Sequence, residues 1–450
     1  MLLDFADLTF TNKGELYSTL YTYIKNAVNN GIIKKGEKLP SIREASATLG
    51  ISRTTVENAY ARLCIEGFAE SIPQKGYFIL SAPIKPPHLS ESKAEKKEIL
   101  YDFSSRRVDE GASDTRVWKK MVREVLRNSG ELISYGNPRG EEGLRQALAD
   151  YSYKARGVIA RKENIIVGAG VGPLLNILCG LLGREISIGF ENNGFFEAER
   201  IFSDYGISTC HLSSDQNGIR MADINKYDIN LLFLLPSSLP KISPSTLSKR
   251  RNALAEWASA KEDRLIIEDD YNGELRYSAR SLPAFQGKSP QNTVYIGSFS
   301  KLLLPSVRIA YMVLPDFLSK RFDEFCNCYN QTCGKIEQLA LENYILSGAL
   351  EKHLRKLRRL YYSKSLLLCH ELEENLFCFK SATLFESSLL VELKTTLNIE
   401  SEKLCAAALK QDVLLIETRE KGSVKLCFAG ITAEKIPLAV ASLNKIFGNL

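Results

Sequence analysis

A chain of 450 residues is longer than one ordinary hydrophobic core organises, so roughly two or three domains are expected. Hydrophobic residues at 44% and charged residues at 25% exclude a disordered chain, and a net charge of +6 permits a polyanionic partner without requiring one. No apolar run approaches the ~18 residues of a membrane span, and Asp4 and Asp7 interrupt the place where a signal peptide needs apolar residues. A cytoplasmic location is therefore expected, with the ten cysteines reduced. Cys326, Cys328 and Cys333 lack zinc-site spacing and only four histidines exist, so no metal site is expected.

The first element in chain order is a helix over "LYSTLYTYIKNAVNNG", with Leu16, Leu20, Tyr23, Ile24 and Ala27 on one face and a stop at Gly31. A second helix opens with Ser41 and Glu44 at capping-box spacing and ends at Gly50. After a short turn, "SRTTVENAYARLC" repeats Val56, Ala59, Tyr60, Leu63 and Cys64 at helical spacing. Its other face carries Arg53, Thr54, Thr55 and Asn58, which can hydrogen-bond phosphates or base edges. "AESIPQKGYFIL" then reads as a hairpin, with Gly76 in its turn. Helix, helix–turn–helix and hairpin together make a winged helix-turn-helix.

Within it, "KLPSIREASATLGISRTTVENAYARLCIEGF" resembles the GntR-type DNA-binding domain. The resemblance implies duplex DNA as a partner. It assigns the DNA contacts to Arg43, Ser52, Arg53, Thr54 and Thr55, with Lys75 and Gly76 in the wing. The start of a recognition helix offers free N–H groups to phosphate, and arginine can read guanine through two hydrogen bonds.

Residues 81–100 hold three prolines and then a Ser, Lys and Glu run, which reads as a solvated linker between a head at 1–80 and a body at 101–450. From 101 on, "NIIVGAG", "INLLFLLP", "RLIIEDDY" and "TVYIGSFSK" alternate with helix-like stretches. A mostly parallel sheet covered by helices follows, with ligands expected beyond the carboxyl ends of its strands. The polar residues cluster there: Gly168 to Gly172, Asp269 and Tyr271, and Ser298, Ser300 and Lys301. "EDD" alone is equally a solvated acidic turn or part of a magnesium site. Taken together, these groups fit a phosphorylated aldehyde cofactor with a basic ring. Lys301 suits a Schiff base, Asp269 the ring nitrogen and Tyr271 the ring oxygen. Ser298, Ser300, Arg308 and the glycine-rich helix start suit the phosphate.

"SYGNPRGEEGLRQALADYSYKARGV", "IIEDDYNGELRY" and "YIGSFSKLLLPSVRIAYMVLP" resemble the fold-type I aminotransferases, and most of all the MocR/GabR regulators that join such a domain to a GntR-type head. The resemblance covers nearly all of 101–450. It implies a large α/β PLP-dependent transferase-like domain with a small C-terminal α/β subdomain. By it, Lys301 binds pyridoxal 5'-phosphate (PLP), Asp269 and Tyr271 hold the ring, and Ser298, Ser300 and Arg308 hold the phosphate. Phe195 stacks on the ring, while Gly170 and Val171 offer backbone N–H groups; a homodimer is implied as well.

Two departures bear on function. "LPSSLPKISPSTL" (235–247) lacks the family's asparagine-bearing loop, and Lys425 in "SVKLCFAG" stands where relatives carry the arginine that grips a substrate α-carboxylate. Lysine keeps the charge without the planar fork. The expected function is a PLP-dependent transcription regulator that senses PLP or an amine or amino-acid-like effector, in contact with Lys425 in the second case. The alternatives are a working aminotransferase with a DNA-binding head, and a regulator whose body is only a dimerisation scaffold.

Overall fold

The computed structural model describes residues 16–80, 99–104, 107–183, 185–191, 196–215, 218–236, 244–276, 283–385 and 387–450. The chain divides into two compact units, Met1–Lys96 and Lys97–Leu450. None of the helices among the described residues is long and apolar enough to cross a membrane.

In the first unit, α1 (Leu16–Asn29), α2 (Ile42–Leu49) and α3 (Arg53–Ile65) precede a hairpin of β1 (Ala69–Ile72) and β2 (Gly76–Ile79). The capping box forms as its spacing predicts: Ser41 and Glu44 each satisfy the other's backbone N–H, and Gly50 closes α2 in the left-handed region. Val56, Ala59, Tyr60 and Leu63 of α3 are buried against Leu20, Ile24 and Ala27 of α1. Tyr60 anchors the turn, donating its hydroxyl to the Pro40 carbonyl at 3.0 Å and meeting Tyr77 edge-on. The buried tyrosine of α1 is Tyr21 rather than Tyr23, which is only half-buried. The cause is polar: the Tyr21 hydroxyl reaches Glu66, and the Arg62 guanidinium lies over its ring. Periodicity alone does not register that anchor.

The second unit is built on a seven-stranded sheet. Its strands are β3 (Ile165–Gly168), β4 (Ser187–Glu191), β5 (Ser208–Leu212), β6 (Leu231–Leu234), β7 (Leu265–Asp269), β8 (Thr293–Ser298) and β9 (Ala310–Val313), in spatial order β3-β9-β8-β7-β6-β4-β5. Only β9 runs antiparallel to its neighbours. Helices cover both faces, so the central strands bury nearly every residue and read as continuous apolar runs. α4 (Thr115–Arg127), α5 (Glu142–Arg156) and α6 (Val171–Leu182) lie before and after β3, and α6 starts directly beyond that strand's carboxyl end. The chain after β6 re-enters the described residues in a helix at Pro244–Ser259; positions 237–243 of the altered loop lie outside them.

A smaller antiparallel sheet follows the long helix α7 (Ala349–Asn375). It contains β10 (Phe379–Phe385), β11 (Leu390–Thr395), β12 (Ile416–Glu417) and β13 (Ser423–Cys427), in order β10-β11-β13-β12, with α8 (Ser401–Lys410) and α9 (Ile436–Gly448) packed on it. Tyr101 and Asp102 pair with Val413 and Leu414, which ties the start of the unit to its end.

Candidate cofactor site

The carboxyl ends of β3, β9 and β8 stand in register, with Gly168 facing Ala310 and Ala310 facing Ser298. Adjacent strands are about 4.8 Å apart, so a glycine turn and a serine turn lie within about 10 Å of each other across the sheet. Beyond β3, Gly170 is the N-cap of α6 at φ 101° and ψ 179°, and no side chain caps the helix. The first N–H groups of α6, starting at Val171, are thus left for an anion.

Arg308 enters the same corner from the start of β9. Its backbone is left-handed at φ 51°, unusual for arginine. The guanidinium Nη1 lies 3.5 Å from Ser300 Oγ, and Ser298 Oγ donates to Ser300 Oγ at 3.3 Å. A Cβ on Gly170 would lie 2.6 Å from Arg308 Nη2, so the guanidinium holds this position beside the helix start only while residue 170 has no side chain. Gly170, Val171, Ser298, Ser300 and Arg308 therefore converge at one corner, where their N–H, hydroxyl and guanidinium groups are chemically suited to an anion.

Asp269 is the last residue of β7 and 2% exposed, with its Oδ1 buried and lacking a hydrogen-bond partner. Burial, followed by the charge of Asp270, pushes its carboxyl up to about 7. The "EDD" stretch is not a solvated turn, because all three carboxylates are buried. Each is handled differently. Glu268 accepts the N–H groups of Phe285 and Gln286 at 2.7 and 2.9 Å. Asp270 forms a two-point pair with Arg156 at 2.6 and 3.1 Å, and the Tyr295 hydroxyl donates to it. Asp269 alone of the three keeps an oxygen without a partner.

Lys301 lies just beyond β8, its Nζ 3.4 Å from the sulfur of the buried Cys427 on β13. Tyr271 is half-buried two residues past Asp269. Phe195 lies outside the described residues. Lys425 is half-buried on β13, facing Glu392 of β11 in register, with its Nζ 5.9 Å from the Phe385 ring centroid. Strand alternation sets it on the same face as Cys427. Sequence reasoning missed three groups here: Arg156, Thr332, which accepts the Ala169 N–H at 3.2 Å, and Cys427. The run of three acidic residues at the end of an apolar strand was the one signal for Arg156, since carboxylates buried there need a cation from elsewhere in the chain.

In the first unit, Arg43, Arg53 and Thr54 are exposed at the starts of α2 and α3. Ser52 and Thr55 also meet at the start of α3, with Ser52 Oγ accepting the Thr55 N–H at 3.1 Å and lying 2.8 Å from its hydroxyl. Lys75 is exposed in the wing, and Lys38, not singled out from the sequence, backs Gly76 and pairs with Phe78.

A winged helix joined to a type I aminotransferase framework defines a DNA-binding transcription regulator with an aminotransferase-like domain. Residues 16–79 match the family model described as bacterial regulatory proteins, gntR family. The chain is 34% identical over 447 residues to the HTH-type transcriptional regulator YdeL of Bacillus subtilis (strain 168), covering 95% of this chain and 96% of that one. It belongs to the MocR/GabR family of transcription regulators. It is also 31% identical over 343 residues to the pyridoxine biosynthesis transcriptional regulator PdxR of Corynebacterium glutamicum, covering 75% of this chain and 74% of that one. Among solved structures, the kynurenine aminotransferase of Pyrococcus horikoshii matches with a TM-score of 0.68 at 20% identity, over 79% of this chain and 92% of that one. That likeness concerns the fold.

Proposed function

We propose that the second unit holds PLP at Lys301 and that the protein senses PLP, or an amine or amino acid presented to it, to control DNA binding by the first unit. The observation that carries this reading is Asp269, a fully buried carboxylate with a partnerless oxygen at a strand end, beside a corner of groups suited to an anion. An isolated buried carboxylate is costly unless a cation or proton meets it. A basic ring nitrogen supplies one, and the Gly170–Arg308 corner fits a phosphate. When bound, PLP supplies an aldehyde that lysine and then other amines can capture.

The protein's own groups divide the work. Lys301 holds the aldehyde carbon, Asp269 keeps the ring nitrogen protonated, and Tyr271 donates to the ring oxygen. Ser298, Ser300, Arg308 and the N–H groups at Gly170 and Val171 hold the phosphate. Phe195 covers the ring face, and Lys425 attracts an effector carboxylate. Arg43, Arg53 and Thr54 contact DNA directly, with Lys75 and Gly76 on the backbone beside it. Ser52 and Thr55 fix the helix start and, at that end, join the contacts to DNA. The exposed Ile133 and Tyr135 of the second unit suit a homodimer contact, and the cytoplasm is the place of action. PdxR, named for control of pyridoxine biosynthesis, favours vitamin B6 itself as the signal.

Protein purified with PLP is expected to be yellow, and borohydride to fix the cofactor to the peptide containing Lys301. A Lys301→Ala protein that still gives a fixed adduct at another lysine would overturn the assignment. Sustained amino-donor turnover at ordinary enzyme rates, ~1–1000 per second, would instead favour an aminotransferase carrying a DNA-binding head.

A further inference from the structure

Two contacts separate the Lys301 nitrogen from the segment that follows residues 81–98. Lys301 Nζ lies 3.4 Å from Cys427 Sγ, and the Cys427 N–H donates to the Phe103 carbonyl at 2.9 Å. Phe103 belongs to residues 99–104, the first described residues of the second unit. That segment is knitted to the small subdomain along its length. Leu100 N–H donates to Asp412 O at 2.8 Å and Phe103 N–H to Leu414 O at 2.9 Å. Further on, Asp109 N–H donates to Ala429 O at 2.8 Å. The fully buried Lys364 then bridges Asp109 Oδ2 at 3.1 Å and Ala429 O at 3.2 Å.

The end of β13 is therefore gripped on one side by residues 103–109 and on the other meets the lysine. Cys427, Phe428 and Ala429 are all fully buried, so this strand end cannot give locally without moving its neighbours. A thiol is a weak hydrogen-bond partner, which suits a lysine that must be held in place and still react; a carboxylate there would hold it as an ammonium.

We propose that Cys427 is a positioning residue for Lys301 and passes the occupancy of that lysine, through its backbone amide, to residues 99–104 and so towards the DNA-binding head. The proposal rests on the reading that PLP binds at Lys301. Binding couples to a second site only through a difference in affinity between two arrangements, typically about 5–150-fold. The Phe103–Cys427 hydrogen bond is the element that both sites can bias.

The test uses the full-length protein with and without PLP, followed by hydrogen exchange in peptides covering 99–104 and 423–430. In the wild type, PLP should slow exchange in both. Cys427→Ala should still be fixed by borohydride at Lys301, yet lose the response at 99–104, because its backbone amide remains while the side-chain contact is gone. Cys427→Ser should restore the response. The pH midpoint of the bound cofactor's absorbance should fall by about half a unit or more in Cys427→Ala and rise above the wild-type value in Cys427→Ser, a change that a purely structural role would not produce. If Cys427→Ala folds poorly, the serine variant alone decides, since an oxygen acceptor should raise the midpoint with the response preserved. A wild-type response at 99–104 in Cys427→Ala, or an unmoved midpoint in both variants, would overturn the proposal. Failure of the underlying reading looks different: the wild type itself would carry no fixed cofactor on the Lys301 peptide.

Discussion

Replacing Gly170 with alanine isolates the phosphate corner. Gly170 sits at φ 101° and ψ 179°, a region that is almost glycine-only and costs a side-chain-bearing residue ~1–3 kcal/mol. The added methyl would also lie 2.6 Å from Arg308 Nη2, so the guanidinium must move. A charge-assisted hydrogen bond to a bound anion is worth ~1.5–3 kcal/mol, so losing it weakens phosphate binding by ~10–150-fold. Part of the backbone strain falls on stability and the rest on affinity, which makes this range a lower bound if the loop opens. Gly172→Ala is the internal control: its Cβ would meet only Ile201 Cδ1, at 3.8 Å, an ordinary contact. The assay is titration of each protein with PLP by absorbance, with folding checked by thermal melting. Gly170→Ala should bind at least tenfold more weakly and Gly172→Ala within about twofold of the wild type. A folded Gly170→Ala protein with wild-type PLP affinity would show that the phosphate does not sit between α6 and Arg308.

In the first unit, Arg53→Ala should weaken binding to the protein's own upstream DNA by ~1–3 kcal/mol and relax sequence preference if Arg53 reads a base, or lower the salt slope by about one if it holds a phosphate. Gel shifts at several salt concentrations check this, and unchanged affinity and slope would remove Arg53 from the interface. In the second unit, Asp269 titrates near 7 when folded, against 3.8 ordinarily, because of burial and then Asp270. The folded state then binds more protons than the unfolded one, so this group's contribution to stability falls as pH rises from about 4 to about 7 and is level outside that window. Without PLP, the stability of Asp269→Asn relative to wild type should rise across the same window, approaching ~1.4 kcal/mol per pH unit at the steepest. Denaturant melts at several pH values measure it, and a flat difference would mean that Asp269 ionises normally.

Local signals carried much of this fold on the surface of the sequence. Ser41, Glu44 and Gly50 define α2 through contacts at most five residues apart, and the α3 stripe needs only helical spacing. The strand ends were legible because a buried parallel strand is a continuous apolar run, and its first polar residues mark the sheet's edge. Partners distant in sequence were not legible. Asp270 finds Arg156 across 114 positions and Lys301 finds Cys427 across 126, and no local pattern encodes either pairing. Ser52 and Thr55 show a third limit. The same hydroxyls that suit phosphate also suit a helix cap, and residue type and spacing do not separate the two roles.

The exchange of arginine for Lys425 bears on what kind of ligand the site prefers. Lysine offers one mobile charge, and in β13 that charge stands opposite the carboxylate of Glu392, with Cβ atoms typically about 5 Å apart. Glu392 stands opposite Lys425 in register, and a lysine does not itself provide the two parallel hydrogen bonds that fix an α-carboxylate's orientation. Proton abstraction from an amino acid depends on that orientation, since accurate placement contributes ~7–11 kcal/mol to such reactions. Sensing is far less demanding: a tenfold shift between two arrangements requires only ~1.4 kcal/mol, about one hydrogen bond. In the proposed reading, affinity comes from the corner of Gly170, Ser298, Ser300 and Arg308 and from Asp269, groups that grip the cofactor rather than an amino acid. A ligand that carries its own phosphate and basic ring meets all of them and does not call on Lys425 at all. That balance of groups favours PLP over an ordinary α-amino acid as the molecule this regulator reads.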